Sequence, residues 1–222
     1  MEKNRIRGPL LTLVAVAALG GGIWLVNVAQ ETEPAAPKTT VAQTTTSAAP
    51  APAPPVPSTP PPVAFPAKAD YVGKIPTATG VITLEVTVDG QKAIAYACDG
   101  NSVEVWLRGT ATNGALALAN KDKTSRLDGR LEGGSISGTL VIGQKSWDFT
   151  AAPVEPPAGL YVYEDAGVRN SWIVDSGGAV TGVQRRADGS TVPAPVLEAD
   201  GTAQFDGERI TAIKVDGDDD VN

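Results

Sequence analysis

Residues 81–108 read VITLEVTVDG QKAIAYACDG NSVEVWLR, and their alternation decides the fold class. Ile82, Leu84, Val86 and Val88 alternate with Thr83, Glu85 and Thr87, a period of two that marks a strand with one buried face. Val103, Val105 and Leu107 repeat the pattern. Between them Ile94, Tyr96 and Cys98 alternate with Ala93, Ala95 and Ala97. Asp89-Gly90 and Asp99-Gly100 supply the positive φ angles of tight hairpins. A two-residue turn at Asp99-Gly100 pairs Tyr96 with Val103 and Ile94 with Val105, and an odd-length turn near Asp89-Gly90 keeps Leu84 and Val86 on the same side. In this register Ala93, Ala95, Ala97, Glu104, Trp106 and Arg108 occupy the opposite face.

The pattern extends in both directions. Asn113-Gly114, Gly133-Gly134, Gly177-Gly178, Asp188-Gly189, Asp200-Gly201 and Asp206-Gly207 punctuate further short runs of β-formers. Strands are predicted near 71–75, 81–88, 91–98, 102–108, 115–120, 125–132, 135–142 and 145–150, then near 159–164, 169–175, 179–186, 191–198 and 202–214. No stretch here has helical periodicity. Eight hairpin-linked strands without a covering helix hide one face by closing into a barrel or folding into a sandwich, which also removes exposed edges. The fold class is therefore all-β: a meander over 70–152, and a second, smaller β-unit over 153–215 that extends the sheet or packs at its side. An acidic tail, 216–222, is read as solvated, because Asp216, Asp218, Asp219 and Asp220 lack the later bidentate glutamate of a calcium loop.

Upstream the composition changes. Residues 30–69 form a Pro/Ala/Thr-rich linker; 11 of the chain's 18 prolines lie between 31 and 66, too little apolar surface for a core and enough proline for an extended spacer. Thr44, Thr45, Thr46 and Ser47 suit O-linked sugar. Residues 10–29, LLTLVAVAALGGGIWLVNVA, carry no ionisable group, and a helix of that length spans about 30 Å, a hydrocarbon core. Trp24 falls near its outer end, as an interfacial anchor. Lys3, Arg5 and Arg7 in the basic end, 1–9, keep that end in the cytoplasm and place the rest outside the cell membrane. A cleaved signal peptide is the rival reading, although Asn27-Val28-Ala29 is a poor cleavage site and no lipobox cysteine exists.

The net charge is −7, and the part beyond the apolar run is more acidic still, which disfavours nucleic acid and anionic lipid as partners. There is one cysteine and no histidine. Histidine-based catalysis and histidine metal sites are excluded, no cofactor or metal is expected, and the core rather than a disulfide must hold the fold. Cys98, on an apolar face, reads as an inert small hydrophobe. Trp147, Phe149 and Trp172 read as core. Trp106, flanked by Glu104 and Arg108, is suited to stacking a sugar ring or peptide, or else is covered by the second β-unit, as large aromatics generally are. Glu85 and Glu104, on neighbouring strands of one outer face, are the carboxylate pair from which a glycan hydrolase would be built.

Two segments carry a family resemblance: Ala95-Tyr96-Ala97-Cys98-Asp99-Gly100 with Val103-Glu104-Val105-Trp106-Leu107-Arg108-Gly109, and Lys145-Ser146-Trp147-Asp148-Phe149 with Ala158-Gly159-Leu160-Tyr161. Together they resemble uncharacterised membrane-anchored, proline-rich envelope proteins of actinobacteria, over about residues 71–211. The resemblance implies an extracytoplasmic β-domain, points to the Cys98-Asp99-Gly100 turn and Trp106, and implies no activity. The expected function is display of a non-catalytic β-domain that binds a wall polymer or an envelope protein, with Trp106, Glu104 and Arg108 as ligand contacts. A carboxylate-dependent hydrolase and a structural tether of a membrane complex are the alternatives.

Overall fold

A computed structural model describes residues 63–220. Among these residues no helix is long and apolar enough to cross a membrane; the proposed membrane segment, 10–29, and most of the linker lie outside them. The first eight strands are β1 (Lys68–Thr77), β2 (Gly80–Asp89), β3 (Lys92–Cys98), β4 (Glu104–Thr112), β5 (Ala115–Ala119), β6 (Ser125–Glu132), β7 (Ser135–Ile142) and β8 (Lys145–Val154). They form a closed antiparallel barrel in which β1 returns to pair with β8. Three residue pairs make that closing seam, Asp70↔Val154, Tyr71↔Pro153 and Val72↔Ala152. Beyond it β1 presses on its neighbour, since a Cβ at Gly73 would lie 2.4 Å from the Thr150 carbonyl oxygen. Glycine at that point lets the wall bend sharply.

Leu84, Val86, Leu107, Leu127, Ile136 and Leu140 fill the barrel and are fully buried. Each such side chain contributes about 1.5–3 kcal/mol by leaving water. Phe65, on the segment leading into β1, packs against this core and meets Tyr71 edge-on at 6.3 Å. One mouth of the barrel is thus covered where the chain enters it. Trp147 and Phe149 belong to the same core, Trp147 only partly buried.

The register around β3 differs from the sequence-based expectation. The β2–β3 turn is the two-residue one, with Asp89 paired to Lys92, so Leu84 faces Ala97 and Val86 faces Ala95. The β3–β4 loop is the odd one, running from Asp99 to Val103 between the paired Cys98 and Glu104. Asp99 causes this: its Oδ1 accepts the backbone amides of Asn101, Ser102 and Val103 at 2.8–2.9 Å. Burial raises the Asp99 pKa, but the three amides outweigh it and hold the carboxyl below its usual value. Tyr96 therefore pairs with Trp106, not Val103, and Ile94 with Arg108, not Val105. Ala93, Ala95 and Ala97 line the barrel interior, while Ile94, Tyr96 and Cys98 share the outer face with Trp106.

That outer face is covered by the second unit. β9 (Gly159–Asp165), β10 (Val168–Val174), β11 (Val180–Arg185), β12 (Thr191–Pro193) and β15 (Ile213–Lys214) make a five-stranded sheet in the order β12-β11-β10-β9-β15. Strand alternation divides its faces. Leu160, Ile173 and Val183 meet Val72, Ile94, Tyr96 and Cys98 of the barrel wall. Trp172 and Val174 turn the other way, against a layer that includes the hairpin β13 (Thr202–Phe205) and β14 (Glu208–Thr211). The expected strands at 191–198 and 202–214 are thus shorter and broken, the latter into three.

Candidate functional site

Glu104, Trp106 and Arg108 alternate along the outer face of β4, and the second unit closes over the first two. The Glu104 side chain has no exposure. Its Oε1 accepts hydrogen bonds from Trp106 Nε1 (3.2 Å), Ser171 Oγ (3.4 Å) and Arg169 Nη2 (3.5 Å), while Oε2 accepts one from Arg185 Nε at 2.5 Å. A carboxylate taken out of water needs this many donors to offset its lost hydration. Trp106 is partly buried. Its ring lies 4.6 Å from that of Tyr96, and the Arg169 guanidinium sits 5.0 Å from its centroid, within cation–π range. Arg108 Nη1 pairs with Asp220 at 2.9 Å.

The three residues are therefore brought together, but not as an open platform over alanines. Arg169, Ser171 and Arg185, which complete the cluster, carry a signal in the alternation of β10 and β11: they share a face with Ile173 and Val183. Glu85 lies on the same outer face as Glu104, yet β3 runs between their strands and both side chains are buried. The pair expected on neighbouring strands is not accessible to a glycan. The aspartates of the acidic tail are exposed, as expected, and two of them also pair with the barrel, Asp216 with Lys68 at 3.5 Å and Asp220 with Arg108.

No protein family, curated protein or solved structure matches the chain. Its chemistry is read from its own residues.

A second polar cluster sits in the same covered layer. Glu85 is fully buried; Thr87 Oγ1 donates to its Oε1 at 2.7 Å, and its Oε2 has no hydrogen-bond partner. Burial pushes its pKa well above the usual carboxylate range, and the nearby Asp70 charge pushes the same way. Lys214 Nζ, the cation beside it, hydrogen-bonds to Asp70 Oδ2. Cys98 is buried in the layer with its Sγ near the Thr181 carbonyl. Burial drives its thiol up to about 12, consistent with an inert cysteine.

The described surface opens elsewhere. At the barrel mouth where the chain enters, a cleft of about 610 Å³ lies between the segment 63–66, the β1–β8 seam and the chain following β15. That volume falls in the range of small-ligand sites. Pro66, Pro153 and Pro156 give it apolar walls, with Lys68, Glu155 and Asp216 among its charged groups. Asp70, Thr87 and Lys214 also line it, which places the buried Glu85 directly behind one wall.

Proposed function

We propose that the chain is a signal-anchored envelope protein, with its basic end in the cytoplasm, whose β-module binds a wall polymer or envelope protein without transforming it. The observation that carries this over the hydrolase alternative is the closure of Glu104: both oxygens are engaged by internal donors and the side chain is out of solvent. An acid or base in glycoside cleavage must reach the scissile oxygen or a water beside it. Contact with the ligand then shifts from the expected Trp106, Glu104 and Arg108 to the cleft. Proline rings there suit the C–H face of a sugar, and Lys68, Glu155 and Asp216 suit its hydroxyls.

Retention of the full-length protein on purified wall fragments tests the reading. Ala64→Trp places an indole at an exposed cleft-lining position and is expected to weaken retention at least tenfold, about 1.4 kcal/mol. Trp106→Ala is expected to lower stability while leaving retention of the folded protein unchanged. Loss of retention only in the second variant restores the Trp106 platform. No retention by wild type leaves the tether of a membrane complex as the better account.

A further inference from the structure

The chain after β14 fastens the covering sheet back onto the barrel through few and mostly polar contacts. β15 pairs with β9 at two positions only, Ile213↔Val162 and Lys214↔Tyr161, extended by the Val215 amide bonded to the Leu160 carbonyl at 2.9 Å. Val215 is buried in the layer that holds Tyr96 and Val72. Gly217 then lies flat on the end of β2: a Cβ there would stand 2.6 Å from the Asp89 nitrogen and 3.0 Å from the Thr87 carbonyl oxygen. Three ion pairs tie the segment to the barrel, Lys214 to Asp70, Asp216 to Lys68 and Asp220 to Arg108. Lys214 and Asp216 at the same time form part of the cleft wall.

Glu85 is placed to control this attachment. One of its oxygens has no donor, so an ionised Glu85 would require water that the closed layer does not admit. Lys214 is its neighbouring cation, and the ammonium is already given to Asp70; two carboxylates would then share one lysine. The other titratable or charged groups of the layer are Tyr96 and Cys98 on β3, Glu104 on β4, Tyr161 on β9, Arg169 on β10 and Arg185 on β11. The two arginines are held by Glu104. Lifting the segment 213–220 withdraws Lys214 from beside Glu85 and the Gly217 backbone from beside Thr87, and it breaks no pair of the barrel's ladder.

We propose that residues 213–220 are a releasable strap over the cleft, closed while Glu85 carries its proton and opened when that proton passes to solvent. The strap regulates the site assigned above and rests on that assignment for its biological meaning, but its motion is measurable without any ligand. The open form binds one proton fewer, so the ratio of open to closed rises with pH, by up to tenfold per unit above the ordinary carboxylate range.

Amide hydrogen exchange of the full-length protein in detergent, corrected for the intrinsic pH dependence, reads this directly. Protection at Val215 is expected to fall by up to tenfold per pH unit above pH 5 in wild type, and at every pH to lie well below that of barrel amides such as that of Leu127, which open only with the whole fold. In Glu85→Gln the fall should vanish. Equal slopes in the two proteins, or Val215 protection as high as that of the barrel amides, overturns the proposal. Asp70→Asn, which frees Lys214 for an ionised Glu85, gives an independent arm and should also reduce the slope; an unchanged slope there overturns it too. Gly217→Ala should cut Val215 protection at least tenfold at every pH while the barrel stays protected, and retained protection shows that the segment is not separable. Failure of Ala64→Trp to affect wall binding, with these exchange results intact, would remove the ligand assignment and leave the strap standing.

Discussion

Glu104 and Glu85 project from the same outer face of the barrel into the same covered layer, yet they meet burial in opposite ways. Glu104 is surrounded by an indole N–H, a serine hydroxyl and two guanidiniums, and stands as one corner of a charge cluster. Glu85 receives one threonine hydroxyl and leaves an oxygen without a donor, and burial pushes its pKa well above the usual carboxylate range. The first offsets a buried charge by pairing, while the second disfavours the charge and favours the neutral acid. The first welds β4 to β10 and β11. The second makes the layer sensitive to pH at the end where β15 fastens.

The comparison breaks most severely at Glu104. Glu104→Ala removes the shared acceptor and leaves Arg169 and Arg185 facing a low-dielectric layer. Breaking such a pair typically costs 3–5 kcal/mol, roughly. Arg185 is 39% exposed and can recover part of its hydration, so about 3 kcal/mol is expected. Urea denaturation at neutral pH checks it, and a loss under about 1 kcal/mol would mean that the cluster does not hold the layer.

At Glu85 the effect is a slope rather than a step. Its folded pKa lies above the unfolded value, so the stability it contributes is fully present below the ordinary carboxylate pKa of about 4.3 and is lost as pH rises through the window up to the folded value. Within that window each pH unit removes up to about 1.4 kcal/mol. Glu85→Gln keeps the Thr87 hydrogen bond to its amide oxygen and cannot ionise, so its melting temperature should be flatter between pH 5 and 8 than that of wild type. Identical pH profiles would show that Glu85 is not protonated in the folded protein.

These two environments were unequally legible in the sequence. Alternation in residues 82–88, together with the turn dipeptides, was enough for the strands and their antiparallel order. It failed at β3 because that strand is buried on both faces: alanines point into the barrel, while Ile94, Tyr96 and Cys98 point beneath a second sheet, and alternation does not distinguish two apolar sides. Loop length then carried the register, and Asp99 capping three amides made the loop longer than its Asp-Gly dipeptide suggests. The pairing of Glu104 with Arg169 and Arg185 joins positions 65 and 81 residues apart, and that of Asp70 with Lys214 spans 144. Such contacts arise only once the second unit has folded over the first, so no local pattern announces them.

The smallest effect is expected at the far end of the strap, where the contrast between buried and exposed charge is sharpest. Asp220 meets Arg108 at 2.9 Å, the same order of distance as the contacts around Glu104, but its side chain is 87% exposed. Water already solvates both partners, and holding two long side chains in one geometry offsets most of the Coulomb gain. Asp220→Asn should therefore change unfolding free energy by less than about 0.5 kcal/mol, and 0.5 M salt should abolish even that difference, since the Debye length then falls to a few ångströms. The same salt should leave the cost of Glu104→Ala nearly intact, because the covered layer admits few ions. A salt-insensitive loss above about 1 kcal/mol for Asp220→Asn would mean that the strap's end is held as firmly as its root at Lys214, and that closing the cleft depends on the whole segment rather than on the contacts beside Glu85.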